Sequence, residues 1–388
     1  MATTSEAFIT PDLLVWARER TNTTPSRLAE KLKIKAGSIE SWESGKTNPS
    51  IRQAEKLAQK LHVPLPYLFL PTRPKDEIPL PDFRTIKNRL FDQSSPDLID
   101  LINDVLAKHA WYKEHIQREG APVRAFVGSC GFNQSPETIA ADITQTLGIT
   151  DELRISCDSW QEFLTRFIER VQACGILVMR SGTVAGNTHR PVSTDEFRGF
   201  AISDNLAPLI FINASDYQAA QIFTVGHELG HIWLGTTGIS NEKLNQPDPS
   251  NIEKLCDAVA AEVLVPRDIF LDRWNRTNGV PSGVARYFRV SSLVVLRRAR
   301  DLGRITQHEF DELFEKEKGK YKRSESGGNF FNNLFARNSL ALIAAVISAV
   351  NEQRELYSHA AALLNVKVPT IQKISDRITN PQFRKGGT

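Results

Sequence analysis

The chain has 388 residues, which is too long for one compact core and indicates two or three domains. Its 41% hydrophobic and 24% charged residues are typical of a soluble globular protein, and a net charge of +3 gives no support to bulk nucleic-acid binding, although it allows a local basic face. The four cysteines are far apart and form no C-x-x-C pair, so we interpret them as reduced thiols rather than as a disulfide framework.

Targeting and membrane signals are not found in the sequence. The N-terminal stretch MATTSEAFITPDLL lacks a basic n-region and an apolar h-region, so it predicts no secretory signal. The longest apolar stretch, SLALIAAVISAV at residues 339–350, is shorter than the ~20 residues that a membrane span needs, and we interpret it as a buried helix. We therefore expect a cytoplasmic protein with no membrane partner.

The N-terminal part of the chain has a helical pattern up to about Leu70. Short helices joined by tight turns predict a small bundle of four or five helices. Thr24 is the predicted N-cap of one of them, with Pro25 at the first helical position. A proline-rich linker is predicted over residues 71–94, because proline lacks a backbone donor and favours extended chain.

Helices and a small sheet are predicted between residues 95 and 270. Helices at 95–118, at 137–147 and in WQEFLTRFIERVQACG come first, and the runs ILVMR, FRGFAI and LIFIN then predict short β-strands. The next segment returns to a helix, for which Ser215 and Gln218 predict a capping box. The rest of the chain after Pro266 is predicted to be helical.

The stretch TVGHELGHIWLG contains the pattern H-E-x-x-H within that helix. His227 and His231 are one turn apart and project from the same face, so both imidazoles can reach one Zn²⁺ at ~2.0–2.1 Å. Glu228 is rotated by ~100° from His227 and is placed to act as a general base without being a ligand. The alternative is a pair of core histidines that are satisfied by hydrogen bonds.

A catalytic zinc needs a third protein ligand, and the helical run IEKLCDAVAAEVLVP offers it. Glu253 is the predicted ligand, and Asp257 shares its helix face and could accept the free N–H of a ligating histidine. Glu262 is the lesser candidate, because it is about 180° round the helix from Glu253.

These segments resemble a known family. The E-x-x-x-D pair is similar to that of thermolysin-like zinc peptidases, and residues 176–266 resemble the ImmA/IrrE family of metallopeptidases more closely. The resemblance is carried by EFRGFAISDNLAPLIFIN, FTVGHELGHIWLG and EKLCDAVAAEVLVP. It implies that His227, His231 and Glu253 bind zinc and that Glu228 is the general base. Known members of the family cut a DNA-binding repressor after stress or damage.

The mechanism that the resemblance implies is metal-assisted hydrolysis of a peptide bond. The strand FRGFAI could bind an extended substrate by strand addition. His189 and Tyr217 are candidates for stabilising the oxyanion, with purely structural roles as the alternative for both.

The run SRLAEKLKIKAGSIESWESGKTNPS resembles the XRE family of helix-turn-helix domains, whose second helix lies in the DNA major groove. The resemblance implies DNA contacts from Lys35, Ser38 and Ser41. This surface has no arginine to read guanine and carries the acidic Glu40, and Pro25 replaces a glutamine that contacts DNA in many members. A protein-docking or dimerising module is therefore the alternative.

Two later segments have a similar outline. VARYFRVSSLVVLRRARDLG, at residues 284–303, reads as helix, turn and helix, with Ser291 or Ser292 as the cap. Arg297, Arg298 and Arg300 follow the cap in the second helix. We interpret it as a packing helix with a solvated basic face, with a second binding head as the alternative. HAAALLNVKVPTIQKI, at 359–374, is interpreted as an element of a helical bundle.

The predicted fold class is α+β and mostly helical. The predicted parts are an XRE-type helix-turn-helix domain (1–70), the proline-rich linker (71–94), a zincin-like metallopeptidase domain with a small sheet (95–270), a helix-turn-helix-like domain (271–325) and a C-terminal helical region (326–388).

We predict a zinc-dependent endopeptidase that cleaves a partner protein of the repressor type. Double-stranded DNA is a second expected partner through the N-terminal domain, and a homodimer is compatible with it. The alternatives are a transcriptional regulator with a structural or vestigial zinc site, and a sensor in which the peptidase fold binds a signal. Glu228 favours the peptidase, since a structural zinc site has no use for a general base.

Overall fold

The computed structural model describes residues 5–21, 23–74, 95–236, 249–319 and 329–379. The described residues form two compact units, one up to Ile99 and the other from Asp100 onward. The predicted linker at 71–94 lies mostly outside the described residues. The predicted domain bounds stay predictions.

The described residues are mostly helical and include one small sheet, which confirms the predicted α+β class. The helices are α1 (Pro11–Arg20), α2 (Pro25–Leu32), α3 (Ser38–Glu43), α4 (Ile51–Leu61), α5 (Pro96–Arg118), α6 (Pro136–Leu147), α7 (Asp151–Ile155), α8 (Trp160–Ala173), α9 (Gln218–Leu234), α10 (Pro249–Leu264), α11 (Arg267–Arg276), α12 (Pro281–Phe288), α13 (Ser292–Asp301), α14 (Gln307–Lys318), α15 (Phe330–Asn338), α16 (Leu340–Asn351), α17 (Tyr357–Leu363) and α18 (Val368–Thr379). The strands are β1 (Leu177–Arg180), β2 (Gly199–Ile202) and β3 (Leu209–Ile212).

The first unit is a bundle built from α1 to α4. The Thr24 side chain accepts a hydrogen bond from the backbone N–H of Arg27 and caps α2, as predicted. Ala29, Ile39 and Trp42 are buried, so α2 and α3 are held together by a common hydrophobic core.

The sheet of the second unit has the strand order β1–β3–β2. β1 runs parallel to β3, and β2 runs antiparallel to β3, with Gly199 paired to Ile212. All four residues of β3 are buried, which is expected for the central strand of a covered sheet. Because β3 lies between β1 and β2, β2 is an edge strand of the described sheet.

The core of the second unit surrounds α9. It combines apolar side chains from α6, α8, α9 and α10 with others from the sheet and from α11 to α13. Trp233 at the end of α9 is fully buried, and its indole N–H donates to Asp142 at 2.5 Å. A helix that is buried on nearly all sides can hold polar groups such as His227 only where they have partners.

Two glycines of α9 allow α10 to pack very closely. A Cβ atom at Gly226 would lie 3.3 Å from the Cα atom of Ala260, and one at Gly230 would lie 3.2 Å from both Cα and Sγ of Cys256. The distance between packed helices is set by the side chains at their contact, so these glycines bring the two backbones together. We call this contact the glycine seam.

The beginning of α9 differs from the prediction. The helix begins at Gln218 with Tyr217 at the N-cap and no side-chain cap. The predicted capping box is wrong, because the Ser215 hydroxyl instead donates to the backbone carbonyl of Gly182, against which this residue packs.

The solvated basic face predicted for α13 is wrong at Arg298. Arg298 is buried, its Nε donates to the carbonyl of Val265, and its guanidinium pairs with Glu262. Ser291 is the N-cap of α13, so one of the two predicted caps is correct. The helix packs as predicted, and of its three arginines Arg298 is buried whereas Arg297 and Arg300 are partly exposed.

The apolar run at 339–350 forms α16, with its buried residues on one face. No single helix among the described residues is long and apolar enough to cross a membrane. The pair α15 and α16, bent by 94° at the break between them, meets the length and composition criteria only when taken together.

Candidate metal centre

The two histidines of the motif face each other on the buried side of α9. The Nε2 atoms of His227 and His231 are 3.0 Å apart. His227 is only 1% exposed, and His231 is partly exposed at 14%. The spacing of four residues has therefore brought both rings to one point, as a helix requires.

Glu253 reaches the same point from α10. Its Oε1 lies 3.3 Å from Nε2 of His231, and its Oε2 lies 3.5 Å from Nε2 of His227. Burial acts to raise the pKa of the Glu253 carboxyl, but hydrogen bonds and charge from the imidazoles, in their protonated form, outweigh it and hold this pKa well below its usual range; a cation between neutral imidazoles would act in the same direction. The carboxyl is therefore ionised.

Each imidazole is oriented by a second contact at Nδ1. His227 Nδ1 lies 2.9 Å from Oδ1 of Asp257, and an ionised carboxylate can only accept, so this nitrogen donates. His231 Nδ1 lies 2.9 Å from the hydroxyl of Thr236, which donates its own hydrogen to the His231 carbonyl and so accepts from the ring. Both Nε2 atoms are then left as lone-pair donors.

This donor set fits a zinc ion. Two Nε2 lone pairs and one carboxylate face the same point. None of these groups has a hydrogen to offer the others, so a cation bound between them would stabilise all three. A tetrahedral metal with ligands at ~2.0–2.1 Å needs donors about 3.3 Å apart, which is close to the three separations found here. Three protein ligands of the types N, N and O are typical of catalytic rather than structural zinc sites.

Cys256 is a further donor that the sequence analysis passed over. Its Sγ belongs to a group in which one ligand atom each from His227, His231 and Cys256 lies within 4.8 Å of the others. The Glu253 oxygens lie 3.3 and 3.5 Å from the two Nε2 atoms, and the thiol already fills the space beside Gly230 in the glycine seam. Geometry therefore favours the carboxylate as the third donor.

Glu228 is buried beside the edge strand β2. Its Oε1 lies 3.2 Å from the place that a Cβ atom at Gly199 would occupy. A glycine at this place in β2 leaves room for the carboxylate to approach the strand. The candidate general base is thus packed against the strand β2.

The other predicted candidates lie elsewhere. Glu262 accepts from the backbone N–H of Arg267 and pairs with Arg298, so it is not part of the centre. His189 is exposed on a loop. Tyr217 is at the start of α9, ten residues before His227 and therefore about 15 Å away along the helix axis.

Arg297 is a contact of the centre that spacing did not reveal. Its Nη2 donates to Oδ2 of Asp257 at 2.9 Å, and its guanidinium lies 4.2 Å from the centroid of the Phe223 ring. Arg297 follows Asp257 by 40 residues and comes from another helix. Only the arginine-rich composition of α13 could have suggested it.

The predicted DNA-contacting residues are on the outside of the first unit. Lys35 is exposed, and Ser38 and Ser41 are half-buried on α3. Glu40 is also exposed on this short helix, which begins after Gly37 at a backbone φ of 82°. The acidic side chain therefore shares the surface that would meet phosphates.

Comparison with known proteins identifies two segments. Residues 171–300 match the family model of a peptidase, described as the IrrE N-terminal-like domain, and residues 14–68 match a helix-turn-helix model. No curated protein and no solved structure matches the chain significantly. The matches confirm both resemblances: the chain carries a metallopeptidase-like domain of the ImmA/IrrE type and an XRE-type helix-turn-helix domain.

Proposed function

We propose that the chain is a zinc-dependent endopeptidase whose substrate is a partner protein of the repressor type. The observation that carries the proposal is the convergence of His227, His231 and Glu253 on one point, with Glu228 beside the adjacent edge strand. The match to a peptidase family supports it.

In this proposal His227, His231 and Glu253 hold the zinc ion. When bound, zinc supplies Lewis-acid activation of water and of the scissile carbonyl. Asp257 and Thr236 keep the two imidazoles in the tautomer that presents Nε2 to the metal. Glu228 takes the proton of the attacking water at its carboxylate and delivers it to the amine that leaves.

The substrate is proposed to pair with β2 as an added strand. β2 lies at an edge of the described sheet, and backbone hydrogen bonds to such an edge bind an extended peptide with little regard to its side chains. The nearness of Glu228 to Gly199 would then place the general base beside the bound peptide.

The helix-turn-helix domain is proposed to direct the peptidase to its target, either through DNA or through the substrate protein. We propose a cytoplasmic location because both expected partners are found there. The domain bounds and the homodimer remain predictions. The rival proposal, a regulator without catalysis, shares the metal ligands but gives no role to Glu228.

Replacement of Glu228 tests the proposal. Glu228→Gln keeps the size of the side chain but cannot accept a proton, so cleavage should fall by ~10²–10⁴-fold while bound zinc stays at one per chain. Glu152→Gln, on the exposed side of α7, is the control and should change neither. Substrates are sought by mass spectrometry among the proteins encoded beside this one, incubated with enzyme and zinc. Equal cleavage by wild type and Glu228→Gln would refute the proposal.

A further inference from the structure

One chain of contacts links α13 to the candidate metal centre across three helices. The Phe223 ring of α9 lies against the guanidinium of Arg297, with 4.2 Å between the guanidinium carbon and the ring centroid. Arg297 donates to Oδ2 of Asp257, and Oδ1 of the same carboxylate accepts from His227. Every link is within the distance of its interaction type.

The Asp257 carboxylate is held from two sides by these contacts. The hydrogen bond from His227 engages only Oδ1, one of the two carboxylate oxygens. The second bond from Arg297, at 2.9 Å, engages Oδ2, and the planar guanidinium is itself held against the Phe223 ring. Asp257 is 26% exposed and Arg297 is 35% exposed, so water reaches both side chains and competes with the bond between them.

We propose that Arg297 is a positioning residue of the metal centre, which fixes Asp257 and through it the His227 imidazole. This inference rests on the proposed function for the identity of the metal. Groups that orient a ligating histidine commonly change metal affinity by 10–100-fold when they are removed. Arg297 acts one contact further out, and its loss should lower zinc affinity by on the order of tenfold.

Arg300 provides a matched control on the same helix. Its Nη2 pairs with Asp301 at 2.7 Å, and its guanidinium lies over the Phe310 ring at 4.7 Å. At 31% it is exposed to nearly the same extent as Arg297. It therefore loses the same kinds of interaction on substitution, but none that reaches α10.

The experiment measures zinc dissociation constants of the full chain by competition with a chromogenic chelator. Arg297→Met should bind zinc about tenfold more weakly than the wild type, and Arg300→Met should bind it with wild-type affinity. The zinc affinity of Arg297→Lys should lie between those of Arg297→Met and the wild type, because lysine keeps one hydrogen-bond donor. The visible spectrum of the Co²⁺-loaded chain should change in Arg297→Met and not in Arg300→Met. Wild-type affinity in Arg297→Met, or equal losses in both methionine variants, would overturn the inference.

A double-mutant cycle decides the case in which Arg297→Met folds poorly. If Arg297 acts through Asp257, then Asp257→Asn and the double variant Asp257→Asn/Arg297→Lys should bind zinc equally. Additive losses would mean a general packing role and would reject the inference. Because the assay needs no cleavage, a result against Arg297 leaves the peptidase proposal standing, whereas a wild-type chain without stoichiometric zinc ends both.

Discussion

Glu253 and Cys256 are the two candidates for the third metal ligand beside His227 and His231. The Glu253 oxygens lie 3.3 and 3.5 Å from the two Nε2 atoms, whereas the Cys256 thiol is one helical turn further on and packs against Gly230. A thiolate is a good zinc ligand, so donor chemistry alone does not separate them. The evidence for Glu253 is distance, since its oxygens lie within 3.5 Å of both Nε2 atoms, whereas the thiol is placed only within 4.8 Å of a ring nitrogen of each histidine.

Substitution of each donor separates the two alternatives. Cys256→Ala should keep one zinc per chain, because it removes only a packing group. Glu253→Gln should weaken zinc binding by more than the ~10–100-fold that is typical for loss of an outer partner. Zinc content after gel filtration measures both, with Cys174→Ala as a control at a cysteine outside the centre. Loss of zinc from Cys256→Ala alone would reverse the assignment.

His109 is a buried titratable group outside the metal centre. Burial lowers its pKa below the ordinary value of a histidine, and its hydrogen bond to the Ala207 carbonyl, at 2.9 Å, only partly opposes this. The folded chain therefore takes up this proton less readily than the unfolded chain. By linkage, stability is lost as the pH falls below the unfolded value of about 6.5.

Exchange of His109 should remove this pH dependence. His109→Gln keeps a donor for the Ala207 carbonyl but does not titrate, so its thermal stability should fall less than that of the wild type between pH 7.5 and 5.5. Both proteins are measured in excess zinc, and the difference between their melting temperatures is followed against pH. A difference that does not change with pH would show that His109 makes no contribution.

The helices of the centre could be predicted because helical periodicity is local. Residues 227 and 231, and likewise 253 and 257, share a face whatever the rest of the chain does. Which faces meet depends on how α9 and α10 cross, and this is set by the glycine seam, whose partner residues on α10 cannot be read from the sequence. Arg297 and Thr236 escaped prediction for the same reason, since their partners are brought close only by the tertiary fold.

We expect a larger side chain in the glycine seam to destabilise the folded chain, because α9 and α10 leave no room for it. Alanine usually stabilises a helix relative to glycine by roughly 0.5–1 kcal/mol. At Gly230, however, the new Cβ would be 3.2 Å from the Cα atom of Cys256, and overpacking typically costs ~1–3 kcal/mol. Gly230→Ala should therefore lower the free energy of unfolding by about 1 kcal/mol in urea titrations.

The same substitution should weaken zinc binding, because α10 carries Glu253 and would move away from the histidines. Combining it with Cys256→Ala removes the Sγ contact and should recover part of the zinc affinity. Normal zinc affinity in Gly230→Ala would mean that α10 adjusts without moving Glu253, and the seam would then have no bearing on the centre.

At the scale of the whole chain, the two units have separate hydrophobic cores. One core comprises side chains between residues 7 and 68, and the other comprises side chains between 139 and 299. Among the described residues, the groups of the metal centre come from α9, α10 and α13 and from Thr236, two residues after the end of α9. We therefore expect recognition by α3 and metal binding to be separable by substitution.

The exposed charges of Glu40 on α3 and of Lys35 just before it allow this separation to be tested. Glu40 opposes phosphates, so Glu40→Gln should tighten binding to a fluorescent DNA duplex, and Lys35→Gln should weaken it, in anisotropy titrations at low and moderate salt. Zinc affinity should be unchanged in both variants. If neither substitution alters DNA binding, α3 does not face phosphates, and the first unit must recognise protein instead. In that case the edge strand β2 and α3 would both serve one partner, and the variants of α3 should reduce cleavage of the intact substrate while leaving cleavage of short peptides unchanged.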